Sequence, residues 1–350
     1  MKIFAAALGC AICLSFSAGS SEAEDVSTFV GAAQDIVLGQ SFEFESSVLG
    51  ESRRVSVRLP DRYVSEPDKT FPVLYLIDGG PQQDFPHIAG ILQSTDINWT
   101  IEPMILVGIE TRNRQAELTP PATDPSYEQV FEKNGGAESF RQFIETEIMP
   151  WVEDTYRTDQ RDIVMGESLA GLFVMETFAK RPDLFSHFIS VSPSLWWDNL
   201  SAAKSYGDDF LTSDETTSKL YVTMGNEGAL MQAGLDVVLE GLSQSNKKWT
   251  YVDRRNSEDH ASIYHPAALD ALRSFFSTPY RAGVSSDSVW MFEGGAVPPL
   301  SDKARESVKE DCTLETAEKI SFETYNRNPV MWRGVCVVMK PGDSSTRQSR

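Results

Sequence analysis

The sequence predicts an α/β fold, a mostly parallel central sheet covered by helices on both faces, with a small C-terminal extension. Three observations carry this. Short apolar runs at 71–77, 104–109, 163–165, 188–191 and 220–224 recur along the chain, separated by segments that include stretches of helical spacing. The runs at 71–77 and 104–109 are almost continuously apolar, as strands are when helices cover both of their faces. The third observation is a serine placed between a strand and a helix, at 166–171.

Each element has its own signal. Residues 54–59 alternate polar and apolar, the pattern of a half-exposed strand. Residues 139–156 have helical spacing, with Phe140, Phe143, Ile144, Ile148 and Trp151 on one side. The strand at 163–165 leads through the serine turn into a helix at 172–178. Further strands are expected at 188–191, 220–224 and 249–252, and an amphipathic helix at 267–276 closes the domain, which spans 36–278. No internal repeat is visible. Beyond 278, Gly294-Gly295-Ala296-Val297-Pro298-Pro299 reads as linker. Residues 301–342 predict a small unit: a charged helix at 302–309 and strands near 320–324 and 335–339. Residues 342–350 read as a disordered polar tail.

The N-terminus reads as an export signal. Lys2 supplies a positive charge, an apolar stretch follows to Phe16, and Ser21-Glu22-Ala23 offers small residues at the two positions a signal peptidase reads. Cleavage is expected after Ala23, with Gly19 as the alternative. The stretch is too short for a transmembrane anchor, and Cys10 lacks the setting of a lipoprotein cysteine. The mature chain is therefore expected in the periplasm or outside the cell, without membrane insertion. It would keep two cysteines, Cys312 and Cys336. In an oxidising compartment these suggest a disulfide worth about 3 kcal/mol in the chain-entropy model; two unpaired thiols are the alternative.

Composition narrows the function. Lys+Arg 31 against Asp+Glu 51 gives a net charge of −20, which repels nucleic acid and anionic membranes. No His, Cys or carboxylate spacing suggests a metal site, and no organic cofactor is implied. A small-molecule substrate is the expected partner. The sequence does not set the oligomeric state.

The stretch Gly166-Glu167-Ser168-Leu169-Ala170-Gly171 carries the chemistry. A nucleophile elbow needs small residues two before and two after the serine, because the crossing backbones leave no room for larger ones. Gly166 and Ala170 meet that need, with Ala170 standing where a second glycine is usual. The alternative is a plain strand-to-helix turn with Ser168 as N-cap. An elbow serine requires a base and an acid later in the chain. Of the four histidines, His87 precedes the serine and His187 follows it too closely. His260 sits in a polar loop between the last strand and the closing helix, and His265 is the weaker alternative. For the acid, Glu227 lies in the loop after the strand at 220–224, where parallel sheets gather their chemistry; Asp236, Asp198 and Glu258 are rivals. The oxyanion needs backbone donors. Leu169 supplies one, and Gly79 or Gly80 in the loop after 71–77 is expected to supply another, unless that loop is a simple turn.

These residues resemble the esterase family of the α/β-hydrolase fold, particularly its enterochelin (siderophore) esterase-like branch. The resemblance covers about 36–276. It runs through Ser46-Ser47-Val48-Leu49-Gly50-Glu51-Ser52-Arg53-Arg54, Leu74-Tyr75-Leu76-Ile77-Asp78-Gly79, Arg114-Gln115-Ala116-Glu117-Leu118-Thr119-Pro120, the elbow, Ser192-Pro193-Ser194-Leu195-Trp196-Trp197-Asp198 and His260-Ala261-Ser262. It implies a Ser-His-acid triad, which falls on Ser168, His260 and Glu227, and a serine esterase working through an acyl-enzyme. A siderophore-like lactone is the substrate the branch implies. Arg114 would meet an anionic group, or else serve a rim ion pair or a cap. Trp196 and Trp197 would line an acyl pocket, or else pack as core. Feruloyl or acetyl carbohydrate esters, acyl transfer, and a non-catalytic binding protein of the same fold are the alternatives.

Overall fold

A computed structural model describes residues 35–98, 100–212 and 216–278, with three short strands beyond them. Strands β1 (Gln40–Ser46) and β2 (Glu51–Arg58) form a hairpin, followed by a one-turn helix α1 (Arg62–Ser65) and β3 (Phe71–Ile77). Helix α2 (Phe85–Ile97) leads to β4 (Ile105–Ile109). Then come α3 (Arg114–Leu118), α4 (Pro125–Val130), α5 (Ala137–Phe143), a π-helix (Ile144–Ile148) and α6 (Met149–Thr155). The rest alternates: β5 (Thr158–Glu167), α7 (Leu169–Lys180), β6 (His187–Val191), α8 (Ser201–Thr212), β7 (Lys219–Met224), α9 (Ala229–Gln244), β8 (Lys248–Asp253) and α10 (Tyr264–Phe276).

In space the strands run β1-β2-β4-β3-β5-β6-β7-β8. The pairs β1–β2 and β2–β4 are antiparallel, and every other neighbour is parallel. All residues of β3 and β4 are buried, as their unbroken apolar sequences require. Their side chains divide between two apolar layers. Val73, Tyr75 and Ile77 join the layer formed with α5 to α9, while Leu74 and Leu76 join the layer under α2 and α10.

Two elements differ from the sequence reading. The helix expected over 139–156 is one run broken by the π-helix, which ends two residues before Pro150. Proline has no N–H to give to the carbonyl four residues back, and its ring presses on that carbonyl, so the preceding turn widens. Strand β1 escaped notice because it is an edge strand with few apolar residues. Phe42 and Phe44 anchor it, with ring centroids 5.3 and 6.1 Å from that of Trp151.

Further on, β9 (Val289–Phe292), β10 (Ala317–Ile320) and β11 (Val335–Val338) make a three-stranded antiparallel sheet in the order β10-β11-β9. The strand expected near 335–339 is β11, and the one expected near 320–324 lies earlier, as β10. The export signal, the helix at 302–309, the tail and Cys312 fall outside the described residues, as does the side chain of Cys336. No helix among the described residues is long and apolar enough to cross a membrane.

Candidate active site

Strands β3 to β8 end at one edge of the sheet, and the loops leaving that edge bring Ser168, Glu227 and His260 together. Ser168 has φ 60° and ψ −118°, a backbone conformation that L-residues avoid. The surroundings impose it. Its N–H donates to the Val191 carbonyl at 3.0 Å, and its own carbonyl accepts from Ser194 at 3.0 Å and Leu172 at 2.9 Å. A Cβ at Gly166 would stand 2.6 Å from the Ala170 carbonyl carbon, and one at Gly171 would stand 2.7 Å from the Val191 oxygen. The small residues are thus a steric requirement of the turn. Gly166→Ala is expected to cost about 1–3 kcal/mol, as overpacking does, and to displace Ser168. A lowered thermal midpoint together with lost activity would show this.

Beyond the serine, the histidine and the glutamate stand in line with it. His260 Nε2 lies 3.2 Å from Ser168 Oγ, and His260 Nδ1 lies 2.7 Å from Glu227 Oε2. The Glu227 side chain is buried at 4% exposure, while the imidazole is half exposed at 49%. The acid loop and the histidine loop are stitched together: the Asn226 N–H donates to the Glu258 carbonyl at 2.8 Å, and the Arg254 N–H to that of Met224 at 3.1 Å. Asp259 accepts from the Ala261 and Ser262 N–H groups, fixing the turn on which His260 stands. The second Glu227 oxygen accepts from Ser192 Oγ. Ser192 is fully buried, has φ 42°, and is held by its own N–H to the Thr223 carbonyl. Sequence reasoning missed Ser192; its only signal was its place at the end of β6.

The rivals lie elsewhere. Asp236 bonds Gln232 on exposed turns of α9, Glu258 bonds Ser262, and Asp198 bonds Thr123 and Asp124. His265 faces His87, with ring nitrogens 2.9 Å apart. The bond to Glu227 raises the pKa of His260 above its ordinary value, against partial burial and with help from the Glu227 and Glu167 charges. Burial pushes Glu167 up to about 7, with the charges of Asp84 and Glu227 adding to the rise.

A cavity of about 580 Å³ opens over the serine, lined among others by Arg114, Leu169, Trp196, Met231 and His260. Arg114 is both a pocket residue and an ion pair. Its Nε donates to Asp78 Oδ2 at 2.7 Å, and Asp78 is buried and held in turn by Thr111. Leu169 opens α7, so its N–H has no partner within the helix.

Three expectations are corrected. Trp197 does not line the cavity; it is fully buried, and its Nε1 donates to the Pro120 carbonyl at 3.1 Å. The Gly79 N–H donates to the Ile109 carbonyl at 2.8 Å, and a Cβ there would meet Gly108 Cα at 2.3 Å, so this glycine serves close strand packing. The Gly80 N–H donates to Gln83 Oε1 at 3.0 Å. Neither glycine lines the cavity as it stands.

Residues 46–275 match the family model described as "Putative esterase". The chain belongs to this family. It is similar to the ferri-bacillibactin esterase BesA of Bacillus subtilis, 30% identical over 162 residues that cover 42% of this chain and 56% of that protein. It is also similar to the apo-salmochelin esterase of Escherichia coli O6:H1, 31% identical over 41% of this chain and 46% of that protein. The chain thus spans about half the length of these two relatives. Among solved structures, an IroE-like serine hydrolase from Shewanella oneidensis superposes with a TM-score of 0.61 at 28% identity, covering 68% of this chain and 80% of that one. The BES protein from Bacillus cereus gives a TM-score of 0.60 at 24% identity over 70% and 98% of the two chains. The fold is that of the α/β-hydrolases.

Proposed function

We propose that the chain is a serine esterase that cleaves a carboxylic ester through an acyl-enzyme. The unbroken relay from Glu227 through both imidazole nitrogens to Ser168 carries this reading. In it, Ser168 Oγ attacks the ester carbonyl while His260 Nε2 takes its proton. The oxyanion turns toward the Leu169 N–H at the positive end of α7. Collapse expels the alcohol, which leaves with the proton from Nε2, and water then repeats the sequence on the acyl-enzyme. Glu227 holds the Nδ1–H tautomer and stabilises the imidazolium, and Ser192 fixes Glu227.

A siderophore-like lactone is the substrate we favour. Relatives are named as esterases of ferri-bacillibactin, of apo-salmochelin and of the siderophore triacetylfusarinine C, and Arg114 puts a cation in the cavity that Trp196 and Met231 also line. That combination suits an aryl group bearing negative charge. The signal-like N-terminus supports a periplasmic or secreted enzyme.

A fluorophosphonate probe should label Ser168 in the wild type and leave Ser168→Ala unlabelled. A panel of short p-nitrophenyl esters, feruloyl sugars and catecholate lactones should show the lactone cleaved most efficiently. Absence of labelling would overturn the esterase, and a lactone cleaved more slowly than the simple esters would overturn the substrate.

Ser192→Ala gives a test by direction. Losing a bond to a charged group costs about 1.5–3 kcal/mol, so kcat/KM should fall roughly tenfold or more. Without that donor the Glu227 carboxylate interacts more strongly with the imidazolium, so the pKa of His260 should rise and the acid limb of the pH profile should move to higher pH. A limb that moves down, or an unchanged kcat/KM, would remove Ser192 from the relay.

A further inference from the structure

Residues 198–200 form an unusual turn beside the cavity. Asp198, Asn199 and Leu200 have φ of 51°, 52° and 69°, three consecutive non-glycine residues in the left-handed region. L-residues rarely adopt this conformation and scarcely ever in succession, so the surroundings must impose the turn. The Asp198 carboxylate is 3% exposed and takes three bonds from one neighbouring loop. Its Oδ2 accepts from the Thr123 N–H at 3.0 Å and the Thr123 hydroxyl at 2.7 Å, and its Oδ1 from the Asp124 N–H at 2.8 Å. These bonds hold its pKa below the usual carboxylate range in spite of burial.

The loop so held starts α4, for which Asp124 is the N-cap. From α4 and the residue after it, Tyr127 and Phe131 place their rings 6.2 and 6.1 Å from Trp196 and 5.8 and 5.1 Å from Trp197. The Trp196 carbonyl takes two further bonds, from the Tyr127 hydroxyl at 3.2 Å and the Leu200 N–H at 3.4 Å. Of these four rings only Trp196 lines the cavity at Ser168. The strained turn, the latch and α4 therefore converge on the placement of one cavity wall.

We propose that Asp198 is a positioning residue for ester selection: by latching Thr123 and Asp124 to the turn at 198–200, it fixes Trp196 and so sets which acyl groups fit against that wall. This rests on the esterase reading above. Asp198 meets neither Ser168 nor His260, so its effect should divide by substrate. A small acyl group does not reach the wall, while a flat aryl group packs against it, and pocket contacts of that kind discriminate by about 10- to 200-fold.

The test compares p-nitrophenyl acetate with p-nitrophenyl benzoate in wild type and Asp198→Ala, with Trp196 followed by fluorine NMR in fluorotryptophan-labelled protein and assigned through Trp196→Phe. KM for the benzoate should rise about tenfold, kcat for the acetate should change less than about threefold, and the Trp196 resonance should move. An equal loss on both esters, or an unmoved resonance, overturns the proposal. If Asp198→Ala does not fold, Thr123→Val removes one bond of the latch and Tyr127→Phe removes the bond from α4 to the Trp196 carbonyl. They should raise the benzoate-to-acetate KM ratio a few-fold, and an unchanged ratio in both overturns it. Should wild type cleave neither ester, the Trp196 resonance in these variants still decides the latch, and labelling of Ser168 by the fluorophosphonate probe decides the esterase reading.

Discussion

Ser168→Ala should lower kcat for ester hydrolysis by about 10⁶, and His260→Ala should bring it to a similar level. The double variant should lose little more. The hydroxyl without a base at 3.2 Å is a poor nucleophile, and the imidazole without the hydroxyl has nothing to activate, so the two act as one unit. Both side chains are at the surface end of the sheet and neither fills the core, so the variants should keep the wild-type thermal midpoint. Single-turnover and steady-state rates on a p-nitrophenyl ester, with the midpoint measured in parallel, check this. More than a tenth of the activity surviving in a folded Ser168→Ala would mean that another group performs the attack.

How much of this was legible in the sequence follows from which signals are local. The elbow was, because its constraint acts between residues a few positions apart: Gly166 must be small because Ala170 lies against it. The central strands were legible because complete burial leaves no polar residue in β3 or β4. Strand β1 was not, since an edge strand meets solvent on most sides and carries no continuous apolar run. His260 could be reached by chain order and by its polar loop. Glu227 could be named only as one of several acids, because what separates it from Asp236 and Glu258 is the distance to a histidine 33 residues away.

The misjudged residues share a cause. Trp196 and Trp197 are adjacent in sequence and identical in type, and the strained turn sends one to the cavity and the other into the core. No periodicity governs such a turn. Gly79 and Gly80 sit where an oxyanion donor is expected, but the Gly79 N–H goes to Ile109 and the backbone this glycine approaches closely is Gly108 of β4. Ser192 opens a stretch that carries the family resemblance, but nothing in that stretch assigns the hydroxyl a role. Its role depends on β6 ending beside the β7 loop, which only the order β5-β6-β7 in the sheet establishes.

Glu227→Gln should keep the fold and reduce kcat by up to about 10⁴, the loss seen when the equivalent carboxylate of a serine protease becomes an amide. The amide can present its NH₂ to Nδ1, which then stabilises the wrong tautomer and leaves Nε2 protonated and unable to accept from Ser168. The pH profile supplies a second, independent reading. The bond to Glu227 is the leading cause that raises the pKa of His260 above 6.5. Since the base works only when neutral, activity in the wild type should appear as pH rises through that raised value. Removing the carboxylate charge should lower the pKa, so the residual activity of Glu227→Gln should have its acid limb at lower pH, opposite to the shift expected of Ser192→Ala. Asp236→Asn and Glu258→Gln, whose carboxylates bond Gln232 and Ser262, should change kcat far less. A folded Glu227→Gln with near-wild-type kcat and an unmoved limb would show that His260 is oriented without it, and the catalytic unit would then be the Ser168–His260 pair alone.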